Sequence, residues 1–280
     1  MTKAELLIKK FKRVKTLPHI VTRLAQLIND KDSTLQDFEE VIRLDPTLVA
    51  RLLTLVNSSY FGIVRKVDSI SRAMALLGMK NLHNIAVTDA LKGMLLEKSS
   101  TGEFSHDRLW LHSAASGICG KMISERIFSI NGDDAYLCGI LHDIGLIVEI
   151  HGAKEDFLKA FNALKADGPS IIELENDYIG TDHCRIGYLL TREWQIPEPL
   201  AEAIRDHHTI LDSTVPDSPA GILQMSEYII SQLDFNVKEN IPVALTPSLT
   251  AHIQQNVDEY KVLAEDLPEE IDKVREMYGD

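Results

Sequence analysis

Apolar residues recur three and four positions apart along almost the whole of this chain, and stretches of strict alternation are scarce. That period draws one apolar stripe along a helix, whereas a half-buried strand needs a period of two. The spacing therefore predicts an all-α fold. With 280 residues, 45% of them hydrophobic and 25% charged, the chain can bury a substantial core in one large or two modest domains, and its composition is not that of a disordered segment.

Local start and stop signals divide the pattern into helices. In STLQDFEEVIRLDPTLVARLLTLVNSSYFG, Ser33 or Thr34 is placed to cap one helix, with Asp37 completing a capping box, and Asp45-Pro46 opens the next. Asp68-Ser69 starts ISRAMALL, which Gly78 ends before KNLHNIAVTDALKGMLL. A helix, turn, helix unit of this kind can read DNA, but few Arg or Lys lie along Leu82 to Ala90, which points to packing instead. The polar run LLEKSSTGEFSHD predicts a boundary, giving an N-terminal helical lobe over 1–97, a central lobe over 104–235 and an acidic helical extension over 236–280. From Phe104 a long helix is expected, and its small residues Ser113 to Gly117, Cys119 and Gly120 suit a central position. Trp110 and Trp194, at helical spacing from apolar neighbours, read as core or groove residues.

The net charge of -13 opposes binding to phosphate backbones and acidic membrane surfaces, so neither nucleic acid nor membrane is an expected partner. Lys3, Lys9, Lys10, Lys12, Arg13 and Lys15 crowd the start and acids crowd the end; both read as solvated helix faces. Cys119, Cys138 and Cys184 are far apart with no CxxC spacing, which fits a reducing cytoplasm. No apolar h-region and no uninterrupted apolar run of membrane-spanning length is read from the sequence.

The stretch CGILHDIGLIVEIH sets His142 and Asp143 inside an apolar run. A single histidine in an apolar helix is usually a hydrogen-bonded core residue. Here, however, His112, His142-Asp143, His183 and His207-His208 each fall on, or at the end of, a separate predicted helix. Imidazole and carboxylate suit Fe, Mn, Ni or Zn, and helices packed around one centre can bring such ligands together. Gly139 and Gly145 would leave room for an ion beside the pair. The alternative is that Asp143 caps a helix and His142 donates to a backbone carbonyl. Thr181 or Asp182 is placed to cap the helix that begins at His183. Cys184 beside His183 could suggest a nucleophile, but nothing in the sequence lowers its pKa, and it is read as inert.

The His112, His142-Asp143 pattern resembles the HD superfamily of metal-dependent phosphohydrolases. More specifically, LPHIVTRLAQLINDKDSTLQDFEEVIRLDPTLVARLLTLVNSSYFG followed by SISRAMALLGMKNLHNIAV is similar to the HDOD domain, a bacterial signalling relative, from about Leu17 to beyond His208. The resemblance implies a multi-helix fold of HD/HDOD type, with an N-terminal lobe packed on an HD-like lobe. Its two-metal cyclic-dinucleotide phosphodiesterase branch, HD-GYP, implies metal ligands at His112, His142, Asp143, His183, His207 and His208. Glu227 stands where that pattern expects an Asp. If the chain is an enzyme, His142 and Asp143 occupy the catalytic position. The chain departs from the branch at Leu146, where a Lys would follow HDIG, and at TILDSTVP, which lacks Gly-Tyr-Pro. Two readings follow: a regulatory module that binds a protein partner or a small phosphate-containing effector, and a metal-dependent phosphohydrolase acting on a nucleotide or cyclic dinucleotide.

Overall fold

The computed structural model describes residues 1–12, 19–58, 61–63, 65–95 and 104–278. Most of the expected boundary segment, 96–103, lies outside them, as do Leu17 and Pro18 of the LPH motif and Ser59 and Tyr60 of LVNSSYFG. Among the described residues the fold is all α, with no strand. The helices are α1 (Lys3–Lys12), α2 (His19–Asn29), α3 (Leu35–Arg43), α4 (Pro46–Val56), α5 (Ile70–Leu77), α6 (Met79–Leu95), α7 (His106–Met122) and α8 (Asp133–Leu141). They continue as α9 (Ile144–Gly152), α10 (Lys154–Ala163), α11 (Ile171–Tyr178), α12 (His183–Glu193), α13 (Glu198–Asp206), α14 (Pro219–Gln232), α15 (Pro247–Gln255) and α16 (Val257–Tyr278).

The chain divides into two compact units. One holds Thr16–Met94 and Pro268–Asp280; the other holds Met1–Lys15 and Leu95–Leu267. In the first, Thr34 and Asp37 form the reciprocal capping box of α3, Asp45 accepts the Leu48 N–H at the start of α4, and Ser69 caps α5. Gly78 takes φ 81°, a left-handed conformation that ends α5 without Cβ strain. The α3 helix packs on α2, α4 and α5, burying Phe38 and Ile42 completely. Every residue from Leu82 to Thr88 in α6 is buried, as packing rather than an exposed face requires.

The second unit is built around α7, which packs on α8 and α14 and buries Ala114 to Gly120 without interruption. It begins at His106, with Ser105 as cap, and loosens into a π-helical turn over Ile123–Ile127. Phe104, just before it, is fully buried edge-on to Phe157 and Phe161 of α10, with ring centroids 4.9 and 5.3 Å apart. Burying a side chain of that size contributes roughly 1.5–3 kcal/mol. Trp110 and Trp194 are both buried.

Helix α1 belongs to this unit although its sequence lies at the start of the expected N-terminal lobe. Its lysines reach outward while Ala4, Leu7, Ile8 and Phe11 are buried, the helix packing on α9 and α12. Lys10 Nζ donates to Gly152 O at 2.6 Å, and Lys12 pairs with Glu193. Residues 236–267 belong here too, with Tyr260 Oη donating to Met225 Sδ at 3.3 Å.

Asp133–Gly152 is long and apolar enough, by composition, to cross a membrane, but nearly all of it is buried within the protein, and the turn at His142–Asp143 splits it into α8 and α9.

Candidate metal centre

Five elements bring the predicted residues to one place. His112 lies midway along α7, His142 and Asp143 form the turn between α8 and α9, His183 opens α12, His207 and His208 follow α13, and Glu227 lies on α14. Two glycines permit this convergence, in a way different from the one expected. A Cβ on Gly139 would overlap the backbone of Gly117 in α7, and one on Gly145 would overlap the backbone of His183. The space at these positions is filled by neighbouring main chain rather than left for an ion. Such close approach carries His142 up to His112 and Asp143 up to His183.

Asp143 stands at the N-cap position of α9, yet its side chain caps nothing. Its carboxylate turns inward and divides the site. Oδ2 lies 3.4 Å from Nε2 of both His112 and His142, while Oδ1 lies 3.4 Å from His183 Nε2 and 3.6 Å from His207 Nε2. Glu227 closes the first half, with Oε2 3.3 Å from His112 Nε2 and Oε1 3.5 Å from His142 Nε2. In the second half His183 Nε2 and His207 Nε2 are 3.3 Å apart, and the His208 ring packs 4.3 Å from that of His207. His142 is fully buried and His112, Asp143, His183, His207 and Glu227 nearly so; His208 is exposed.

Each of the four inner imidazoles has its Nδ1 beside an acceptor. His112 faces Phe235 O at 2.9 Å, His142 faces Gly139 O and His207 faces Ile204 O, both at 2.7 Å, and His183 faces the Glu175 carboxylate at 2.7 Å. A carbonyl or carboxylate oxygen can only accept, so Nδ1 carries the proton and the Nε2 lone pair points into the centre. The carbonyl bond and ligation considered as alternatives for His142 are therefore compatible.

Four lone pairs packed 3.1–3.3 Å apart at their closest repel unless a cation lies among them. The neighbouring charges favour the protonated forms of His112 and His207. Burial depresses His112, but Glu227 and Asp143 outweigh it and hold the imidazole well above its ordinary pKa. Burial likewise opposes His207, which Cys184 and Asp143 raise to about 10. The carboxylates respond inversely: burial would raise both, but His142, His112 and His207 hold Asp143 well down, and His112 and His142 bring Glu227 to about 2. Glu227 Oε1 has no hydrogen-bond partner. Ligand atoms of His112, His142 and Glu227, of His142, Asp143 and His207, and of His183, Cys184, His207 and His208 each fall within 4.8 Å of one another. Imidazole and carboxylate donors clustered in this way could hold a metal ion.

Three features of the site were not legible in the linear pattern. Glu175, fully buried on α11, holds His183 through both Nδ1 and the backbone N–H, the latter at 3.0 Å. Beside it Glu149 is also fully buried; burial and the Glu175 charge push its carboxyl well up. Cys184, read as inert, has Sγ 3.5 Å from His207 Nδ1 and 3.6 Å from His183 Nε2. Burial favours its thiol, yet the two imidazoles outweigh burial and lower its pKa. The third feature is a strap over residues 234–243. Arg108, one turn before His112, donates to Asn236 O, Glu239 Oε1 and Asp234 Oδ1 at 2.5, 2.8 and 3.0 Å. On the open side a cleft of about 760 Å³, within the size range of small-molecule sites, is lined by His207, His208, Glu227, Arg185 and Arg205.

The HDOD domain family matches residues 14–210. A curated relative, an uncharacterized protein of Treponema pallidum (strain Nichols), is 27% identical over 208 residues, covering 71% of this chain but 39% of that protein, so the chain spans well under half of its relative's length. Among solved structures, a protein of Shewanella amazonensis SB2B provisionally named a phosphohydrolase is 25% identical, with a TM-score of 0.72 and coverage of 98% of each chain. Another, from Marinobacter aquaeolei VT8 and provisionally named a signal transduction protein, shares the fold at 18% identity and a TM-score of 0.73, over 95% of this chain and 59% of that one. With its motifs matched over that span and its all-helical architecture shared, the chain belongs to the HDOD domain family.

Proposed function

We propose that this chain is a metal-dependent phosphohydrolase acting on a small phosphate ester of the nucleotide or cyclic-dinucleotide class. The observation that carries the reading is the orientation of the four inner imidazoles, each tied at Nδ1 so that Nε2 faces one of the two Asp143 oxygens. His112, His142, Glu227 and Asp143 would hold one ion; Asp143, His183, His207 and His208 would hold the other. Ions bound there would polarise a phosphate and activate water, chemistry that needs no nucleophilic side chain. The protein's part is to set the ligands, to exclude water on the buried side, and to admit an ester through the cleft beside His208 and Arg205. The three cysteines are free and buried, which fits a reducing, cytoplasmic setting.

The test is metal analysis of protein purified without a histidine tag, followed by hydrolysis assays on phosphomonoester, phosphodiester and cyclic-dinucleotide probes with Mn, Fe(II), Ni or Zn. Turnover that disappears in His142→Ala is the expected result. Absence of metal, with no turnover under any of these ions, ends the reading.

Leu146 and the missing Gly-Tyr-Pro favour a second reading, in which the same centre binds a phosphate-containing effector and signals to a protein partner without hydrolysis. A metal-loaded protein that retains a cyclic dinucleotide intact, with no product after prolonged incubation, would select it. Both readings involve no nucleic acid and no membrane, and retention of duplex DNA at physiological salt would count against both.

A further inference from the structure

The position after His142-Asp143-Ile144-Gly145 is Leu146, so this turn offers no cation to a phosphate. Leu146 lines a small cavity together with His112, Asp143, His183 and Glu227, and another residue lining that cavity is Lys238. The geometry points to Lys238 as the cation that recognises the phosphate of a ligand held at the metal centre, a role that rests on the function proposed above.

Lys238 is held in place from several directions. Its Nζ donates to Phe161 O at 2.7 Å and lies 5.1 Å from the centre of the Phe161 ring. The strap that bears it is anchored to α7 by Arg108 through Asp234, Asn236 and Glu239, and is braced internally by Asn236 Nδ2 donating to Ile241 O at 3.0 Å. Phe235 O, three residues before Lys238, accepts from His112 Nδ1, so one short segment both orients a candidate metal ligand and delivers the cation. Phe161, Leu164, Ile171 and Val243 supply apolar walls, and low polarity there strengthens attraction between an ammonium and a phosphate oxygen. The side chain is half-buried and borne on the strap rather than on the helix after the His-Asp turn, so motif position alone does not reveal it.

Inorganic phosphate is the probe, titrated calorimetrically into the full metal-loaded chain, with metal per chain measured on the same samples. Lys238→Met should weaken phosphate binding about tenfold or more while leaving metal content unchanged, and Lys238→Arg should retain most of the affinity. Adding Leu146→Lys to Lys238→Met should recover binding, because a cation would again line the same cavity. Lys238→Gln repeats the loss if the methionine variant folds poorly. Phosphate affinity within about twofold of the parent in Lys238→Met overturns the assignment and leaves the metal-centre reading standing. So does a loss of metal in Lys238→Met and Lys238→Arg alike, which would make the residue a brace for the strap. A parent chain that binds neither metal nor phosphate overturns the assignment and the proposed function together.

Discussion

The two halves of the centre share Asp143 but are finished differently. The half with His112, His142 and Glu227 is wholly buried, supplies two carboxylate groups and two imidazoles, and has both rings tied to main-chain carbonyls. The half with His183, His207 and His208 includes an exposed imidazole and a nearby sulfur, and one ring is tied to the charged Glu175. Carbonyls hold a ring in place, whereas a carboxylate also raises its basicity. On the function proposed above, the first half would retain a hard or borderline ion, and the second would hold a more accessible ion that a ligand could reach from the cleft.

The sharpest way to break this comparison is Asp143→Ala, which removes the shared ligand. Metal content should fall from about two ions per chain to near zero, read by mass spectrometry after dialysis; retention of a full complement would show that the halves do not depend on Asp143. Glu227→Gln acts on one half only, so content should settle near one ion, with the remaining ion still displaced by blocking the His208 side. A subtler perturbation is Glu175→Gln, which keeps the shape but removes the charge behind His183. The more accessible ion should bind roughly 10–100-fold more weakly, measured by competition with a chromogenic chelator, while the buried one is unaffected.

The smallest effect concerns pH in chelator-treated protein. His207 is raised to about 10, so its pairing stabilises the fold fully below its ordinary pKa near 6.5 and is lost as pH rises through about 10. Glu227, held at about 2, contributes stability that is full above about 4.5 and is lost as pH falls toward about 2. Metal-free protein should melt at progressively lower temperature from neutral to alkaline pH. Loaded protein should lack that slope up to the point where hydroxide competes for the ion. Calorimetric scans with and without chelator compare the two, and an alkaline slope that is identical in both would show that the imidazole protons do not take the place of the metal.

Helix starts were legible because capping is local: Thr34 with Asp37, Ser69 before α5 and Asp182 before α12 act within three residues of themselves. The order His112, His142-Asp143, His183, His207-His208 was legible too, since each lies in a distinct periodic segment. Glu175 was not, because eight residues and a turn separate it from His183, and nothing in ELENDYIGTDH marks that carboxylate as different from its neighbours. For Cys184 the adjacent His183 is visible in the sequence, but the second imidazole against its sulfur, His207, is 23 positions away. Gly139 and Gly145 were recognised as important, but their partners, Gly117 and His183, are set by helix packing.

The amino-acid order alone determined the all-α class, the main helix starts and the set of imidazoles and carboxylates available for chemistry, because periodicity, capping and side-chain identity are properties of short stretches. Only the tertiary structure decided which oxygen of Asp143 faces which histidine, which acceptor holds each Nδ1, and that Lys238 shares a cavity with Leu146. Those are distances between residues remote in sequence. They arise from close helix approach at two glycines and from a strap pinned by Arg108, and neither leaves a periodic trace in the chain.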